Sequence, residues 1–250
     1  MWKKWIFALT FSLPALGYNL TIDFNNGFYW ASLPISVTVI ESNTNRKNIL
    51  ESLSKSAIGE WESRTGFSLW DFNQSSGTNP ASSNIIRWST NFAAETGMDA
   101  NTVLALAIRY TSGPYFARTE IVINGGHYLN QDVNNLLTTL THELGHTMGI
   151  DHSNVSNAVM APTLQNPYRG LAQDDIKAMG EAHAQTEDRQ LTGYISPLAY
   201  TKNSEQKSAL SCGTVGPVGT ASSGSAMASL GVGMLIAFVR KVLKWFKSLL

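Results

Sequence analysis

His142-Glu143-Leu144-Gly145-His146-Thr147-Met148-Gly149-Ile150-Asp151-His152 decides the reading of this chain. It spells H-E-x-x-H-x-x-G-x-x-H and holds three of the chain's five histidines. On a helix, positions four apart lie one turn above each other on the same face. His142 and His146 can therefore aim two imidazole nitrogens at a single ion. Glu143 stands beside them, within reach of a water at that ion but not placed as a ligand. Gly149 stops the helix, because glycine accepts the left-handed backbone of a sharp turn. The turn brings His152 back as a third ligand. Three protein nitrogens leave a fourth position on a zinc ion open to water, which marks a catalytic rather than a structural site. Zinc lowers the pKa of such a water to about 7 and polarises a carbonyl. Glu143 then takes the water's proton as general base and passes it to a leaving amine. The pattern predicts one catalytic Zn2+ and metal-assisted amide hydrolysis.

Val133, Leu137, Leu140 and Leu144 recur at three- and four-residue spacing, which predicts a helix with one apolar face. Asn130 or Asp132 is placed to cap its start. Leu50, Leu53, Ala57 and Trp61 space as one face of a second helix that ends near Gly66. Pro34 to Ile40, Asn84 to Trp88 and Glu120 to Asn124 read as strands.

Beyond the zinc motif the chain resembles the metzincin metallopeptidases, and within them the matrixins. Ser153 follows the third histidine, as it typically does in matrixins. Ala158-Val159-Met160-Ala161-Pro162 is similar to the matrixin Met-turn, with Ala161 in place of the usual tyrosine. Leu171-Ala172-Gln173-Asp174-Asp175-Ile176 is similar to the segment that opens the last matrixin helix. Asp174 and Asp175 also suit the positive end of that helix. The resemblance covers about residues 27–184 and is specific from about residue 117 onward.

The resemblance implies an α/β (α+β) metzincin-like fold. It has a twisted, mostly parallel mixed sheet with an antiparallel edge strand, two long helices, and a small C-terminal subdomain with the Met-turn and a final helix. Met160 would form the floor under the zinc. The substrate would be an extended polypeptide, added as a strand to an edge strand around Thr119–Asn124, with Glu120, Ile121 and Val122 in contact. Pro162, Thr163 and Leu164 would wall a pocket for an apolar side chain just after the cleaved bond. Vertebrate-type matrixins also carry a propeptide cysteine that blocks the zinc. Here the sole cysteine, Cys212, follows the domain. No motif indicates Ca2+ or a second zinc. His127 reads as a loop or cleft-rim residue, and His183 as a helix-surface one.

Lys3 and Lys4 precede an apolar run from Trp5 to Leu13, followed by Ala15-Leu16-Gly17. That is the layout of a secretory signal over residues 1–17. The peptidase-like domain is expected over 18–185. Residues 186–222 are polar and aperiodic and read as a flexible linker. Residues 223–250 form a tail: Ala226–Val239 is apolar, and Arg240, Lys241, Lys244 and Lys247 follow. Basic residues after an apolar stretch favour a cytoplasmic C-terminus. The tail is similar to the three-part sorting signals of bacterial secreted proteins, with Ser211-Cys212-Gly213-Thr214 as the short motif. That implies a membrane-embedded sorting protease as a partner. A competing reading takes Val242 to Leu250, with Trp245 and Phe246, as an interfacial amphipathic helix. In both readings the tail meets a membrane.

Eighteen basic and eighteen acidic residues balance, which gives no case for nucleic acid. One cysteine excludes an internal disulfide framework. A monomer is expected. Together these features predict an exported zinc endopeptidase, extracellular, periplasmic or at the cell surface. Two rivals stand beside it: a zinc-containing peptide-binding or adhesion module without catalysis, and a narrow processing protease for one exported partner.

Overall fold

Runs rich in valine, isoleucine and aromatic residues, which suit a pleated half-buried surface, build one seven-stranded sheet in a computed structural model. The structure describes residues 17–40, 49–73, 84–164, 170–200 and 206–213. The chain divides into two compact units, Met1–Val215 and Gly216–Leu250, and all described residues belong to the first. The strands are β1 (Tyr29–Trp30), β2 (Ile35–Ile40), β3 (Trp70–Asn73), β4 (Asn84–Ser89), β5 (Val103–Ser112), β6 (Tyr115–Asn124) and β7 (Gln206–Gly213). Their order is β3-β2-β4-β6-β5-β7, with β1 added to β6. β2, β3, β4 and β6 run parallel. β5 returns antiparallel to β6, and β7 pairs antiparallel with β5.

The helices are α1 (Ile22–Asn25), α2 (Ile49–Thr65), α3 (Phe92–Thr96), α4 (Val133–Thr147) and α5 (Gln173–Thr192). α2 and α4 pack against each other, and Leu50, Leu53, Ala57 and Trp61 meet Leu136, Leu140 and Leu144 in the main core. The predicted apolar face of α4 is rotated at its start. Val133 is exposed, as is Asn134, and Leu136 takes the fully buried place, in line with Leu140 and Leu144 at four-residue spacing. Asp132 is the cap, accepting from the backbone N–H groups of Asn134 and Asn135 at 2.9 Å each. Asn130 does other work. It is buried, and its amide donates to the Leu104 and Asn124 carbonyls, both at 2.9 Å.

Three tryptophan indoles tie α4 to its surroundings. Trp61 donates to the Thr141 carbonyl at 2.8 Å, Trp30 to the Thr147 carbonyl at 2.9 Å, and Trp70 to the Thr147 hydroxyl at 3.1 Å. Each buried indole N–H thus finds an acceptor, as burial requires. α4 ends at Thr147, and Gly149 follows with φ +92°. A Cβ at Gly149 would stand 2.9 Å from Phe24 Cγ, so the turn needs glycine for both backbone and space. Past the turn, the segment 17–21 runs beside 149–154. Thr21 N donates to the Gly149 carbonyl at 2.8 Å, Asp151 N to the Asn19 carbonyl at 2.8 Å, and Asn154 N to the Gly17 carbonyl at 2.8 Å.

Two expectations are corrected here. The strand around Thr119–Asn124 is not an edge. β6 is paired with β4 on one side and β5 on the other, so its backbone groups are already taken. Residues 186–222 are not one continuous linker either. α5 runs on to Thr192 and is closed by Gly193 at φ +62°, and Gln206–Gly213 forms β7. The last turns of α5 hold because Arg189 donates to the Phe24 and Phe28 carbonyls at 3.1 and 3.3 Å, and Gln190 to the Trp30 carbonyl at 2.8 Å. Residues 1–16 of the signal-like segment 1–17, and the tail 223–250, lie outside the described residues. Among the described residues no helix is long and apolar enough to cross a membrane.

Replacing Gly149 with alanine is expected to destabilise the domain by about 2 kcal/mol or more, from an unfavourable φ plus a clash with Phe24. Urea unfolding of the two proteins measures this. Equal midpoints would show that the turn tolerates a side chain.

Candidate metal centre

His142, Glu143 and His146 stand on α4 with their side chains buried, at 2%, 0% and 0% exposure. His152 comes from the loop that Gly149 starts. The three imidazole centroids are 4.6, 5.0 and 5.3 Å apart. One ligand atom from each ring lies within 4.8 Å of the others. The sequence pattern therefore assembles as a cluster in space.

The tautomers follow from the hydrogen bonds. His142 Nδ1 lies 2.7 Å from the Val159 carbonyl, and His146 Nδ1 lies 2.7 Å from the Ile150 carbonyl. A carbonyl oxygen only accepts, so both Nδ1 atoms carry the proton. The Nε2 lone pairs then face inward. Nε2 of His142, His146 and His152 are all buried with no hydrogen-bond partner. Buried polar atoms are normally satisfied, so three orphaned acceptors converging on one point fit a cation. Nitrogen donors with outer nitrogens on carbonyls suit zinc.

Electrostatics agree with that reading. Burial holds His142 neutral and pushes its pKa down to about 3, with His152 adding to the effect and the Val159 carbonyl opposing it. Burial, then His142 and His152, also hold His146 well below the usual imidazole range. Burial lowers His152, against the pull of Asp151. Neutral imidazoles are the form a metal needs.

The helix carrying these ligands is held from two sides. Met160 is fully buried under Gly145. A Cβ at Gly145 would stand 3.1 Å from both Met160 Cε and Trp61 Cζ2, which explains a glycine between the two helix histidines. The Met160 backbone is fixed by Asp175, whose carboxylate accepts from Met160 N at 3.0 Å, Val159 N at 2.9 Å and Ala172 N at 2.8 Å. Val159 is the residue whose carbonyl orients His142, so Asp175 acts on the cluster through one peptide. Burial raises the Asp175 pKa, opposed by those three backbone donors. Asp174 accepts from the Ser153 hydroxyl at 2.6 Å.

On the other side Arg109 of β5 is 1% exposed. Its Nη1 donates to the His146 carbonyl at 2.6 Å, while Nε and Nη2 grip Asp23 at 2.9 and 2.8 Å. Burial works to raise the Asp23 pKa, but Arg109, Ser208 and Thr21 outweigh it, and the carboxyl lies below its usual range.

The residues expected at the substrate divide into two groups. Glu120 pairs with Arg87 at 2.7 Å, and Ile121 and Val122 are buried in the sheet, so these three do not line a cleft. Pro162 and Thr163 are exposed, and Leu164 is buried against Leu104 of β5. The stretch after the Met-turn thus borders β5, not β6. His127 caps a short 3-10 turn, accepting from Leu129 N at 3.2 Å, and His183 stacks on Phe67 with centroids 3.9 Å apart. Neither reaches the cluster.

Sequence reasoning missed Asp175, Arg109 and Asp23. The sequence places Asp175 in the matrixin-like helix-opening segment and at the positive end of that helix, with no role at the cluster. Arg109 carries a usable signal: a lone charge inside the apolar run Val103–Tyr110 needs a buried partner.

Comparison with known proteins agrees with the geometry. The matrixin family model matches residues 29–184, more than half of the chain. A 48-residue stretch is 52% identical to matrilysin of Homo sapiens, covering 18% of this chain and 18% of that protein. Karilysin of Tannerella forsythia is 44% identical over 48 residues, 19% of this chain and 10% of that protein. Matrix metalloproteinase-C of Caenorhabditis elegans is 35% identical over 72 residues, 26% and 12% respectively. The chain thus spans less than a fifth of the length of these relatives. With the histidine cluster in place and the family model covering the fold that carries it, this chain belongs to the matrixin family.

Proposed function

We propose that the protein is a zinc-dependent endopeptidase in which His142, His146 and His152 hold one Zn2+ and Glu143 is the general base. The observation that carries this reading is the trio of buried, unpartnered Nε2 atoms beside the buried Glu143 of a matrixin chain. Zinc, when bound, supplies a Lewis acid that polarises the scissile carbonyl and acidifies water. Glu143 takes the proton of the attacking water and hands it to the leaving amine. The Val159 and Ile150 carbonyls keep two imidazoles in the required tautomer throughout. Met160 and Gly149 keep their structural place at the site.

The substrate is an extended polypeptide that runs along β5. Leu164 packs on this strand, and β6 has no free edge. Pro162, Thr163 and Leu164 wall the pocket that receives an apolar side chain. We further propose that the protein is exported, on the strength of the charged and apolar segment Lys3–Leu13 and the small residues that end it. The tail 223–250 contacts a membrane by the same kind of argument, from its apolar and basic halves.

Glu143→Ala is expected to retain zinc and fold while losing peptide cleavage by about 10²- to 10⁴-fold, the usual contribution of an essential base. Metal content, circular dichroism and a quenched fluorescent peptide assay read the three quantities. Undiminished cleavage would remove Glu143 from the mechanism. A zinc-loaded wild type with no cleavage would favour a binding module.

The metal-free protein has its own pH signature. Its cluster histidines are neutral when folded and have an ordinary pKa of about 6.5 when unfolded. Below that value the unfolded chain takes up more protons, so stability is complete above it and is lost as pH falls towards the folded values. Urea midpoints of the metal-free protein should fall steadily from about pH 7.5 to about pH 5, a window above most carboxylate titrations. A flat profile there would mean that the imidazoles are solvated.

A further inference from the structure

β5 is already occupied. Gln206–Gly213 pairs with it antiparallel along nearly its full length, from Thr111 opposite Gln206 to Val103 opposite Gly213. No other flank of β5 exists, because β6 fills the opposite side. β7 also lies against α4, the helix of the metal cluster. The strand that borders the Met-turn loop therefore carries a segment of the chain itself where an extended peptide would add.

The docking is anchored by a side chain as well as by the ladder. The Ser208 hydroxyl donates to Asp23 Oδ2 at 2.6 Å. Asp23 is the carboxylate gripped by Arg109, and Arg109 also donates to the His146 carbonyl. β7 thus closes onto the buried ion pair that backs the second histidine of the cluster. Little apolar patterning in Gln206–Gly213 would drive burial on its own. The backbone pairing and, among the described side chains, the Ser208 hydroxyl hold it there.

We propose that Gln206–Gly213 is an intramolecular occupant of the substrate-binding edge, so that the cleft stays covered until this strand is withdrawn or cut away. The proposal rests on the endopeptidase reading for the identity of the competing ligand, an extended polypeptide. A tethered strand competes at a high effective concentration, of order millimolar for a short connection. It therefore raises the apparent KM for peptides and leaves the chemistry at the histidines untouched.

The test compares full-length protein with native β7 against Ala209→Pro/Leu210→Pro. Successive residues of a strand turn their N–H groups to opposite sides, and proline has none, so one of the two changes removes a ladder bond. Both forms are prepared zinc-loaded with Glu143→Ala and titrated with a fluorescein-labelled casein peptide. Both are also assayed for cleavage with Glu143 intact. The proline form is expected to bind the peptide about 10-fold tighter or more, and to cleave it with a KM lowered by a like factor at similar kcat. Equal affinity, including no binding by either form, overturns the proposal. Tighter binding without cleavage in either form upholds the strand's role and rejects the peptidase reading. A second route avoids refolding: a cleavable sequence inserted within 201–205 is cut in the folded protein. The same tightening is expected after the cut and dilution, and its absence overturns the proposal.

Discussion

Three imidazoles can meet at one point only if something else holds the far side of the rings. In this protein main-chain carbonyls do it, Val159 for His142 and Ile150 for His146. Both carbonyls belong to the loop after α4, so the ligands and their orienting groups come from opposite sides of one turn. That turn exists because Gly149 takes a φ that L side chains avoid. The geometry of the cluster is thus a property of a short stretch of backbone, not of the sheet beneath it.

The rest of the domain keeps that stretch where it is. Asp175 fixes the peptides on either side of Val159 with two of its three backbone hydrogen bonds. Arg109 fixes the His146 carbonyl while neutralising Asp23. A buried pair of this kind is a modest source of stability, but removing one member leaves a buried charge at a cost of about 3–5 kcal/mol. Its contribution here is positional. It links β5, the N-terminal segment, the helix of the histidine cluster and, through Ser208, the last strand.

The metal cluster was fully legible in the sequence, because helix periodicity and one glycine fix the relative directions of three side chains within eleven residues. The matrixin-like elements on either side were legible for the same local reason. The strand edge was not. Glu120–Asn124 reads locally as a short apolar strand with polar ends, yet only the pairing of β4, β5 and β6 shows that it lies inside the sheet. Strand order is a long-range fact that a local pattern does not carry. β7 escaped notice more completely. Gln206–Gly213 has the polar, small-residue composition of a linker and becomes a strand only because β5 offers it a ladder. At the start of α4 the spacing points to Val133 where Leu136, three residues on, is the buried one, since both fit the apolar pattern.

The proposed zinc-peptidase reading therefore stands on one histidine trio and on the carbonyls that turn it inward. X-ray absorption at the zinc edge of the loaded full-length protein measures that trio directly. The account predicts one zinc per chain with three imidazole nitrogens at about 2.0–2.1 Å and an oxygen as fourth ligand. A spectrum with sulfur in the first shell, or with fewer than three imidazoles, would contradict it.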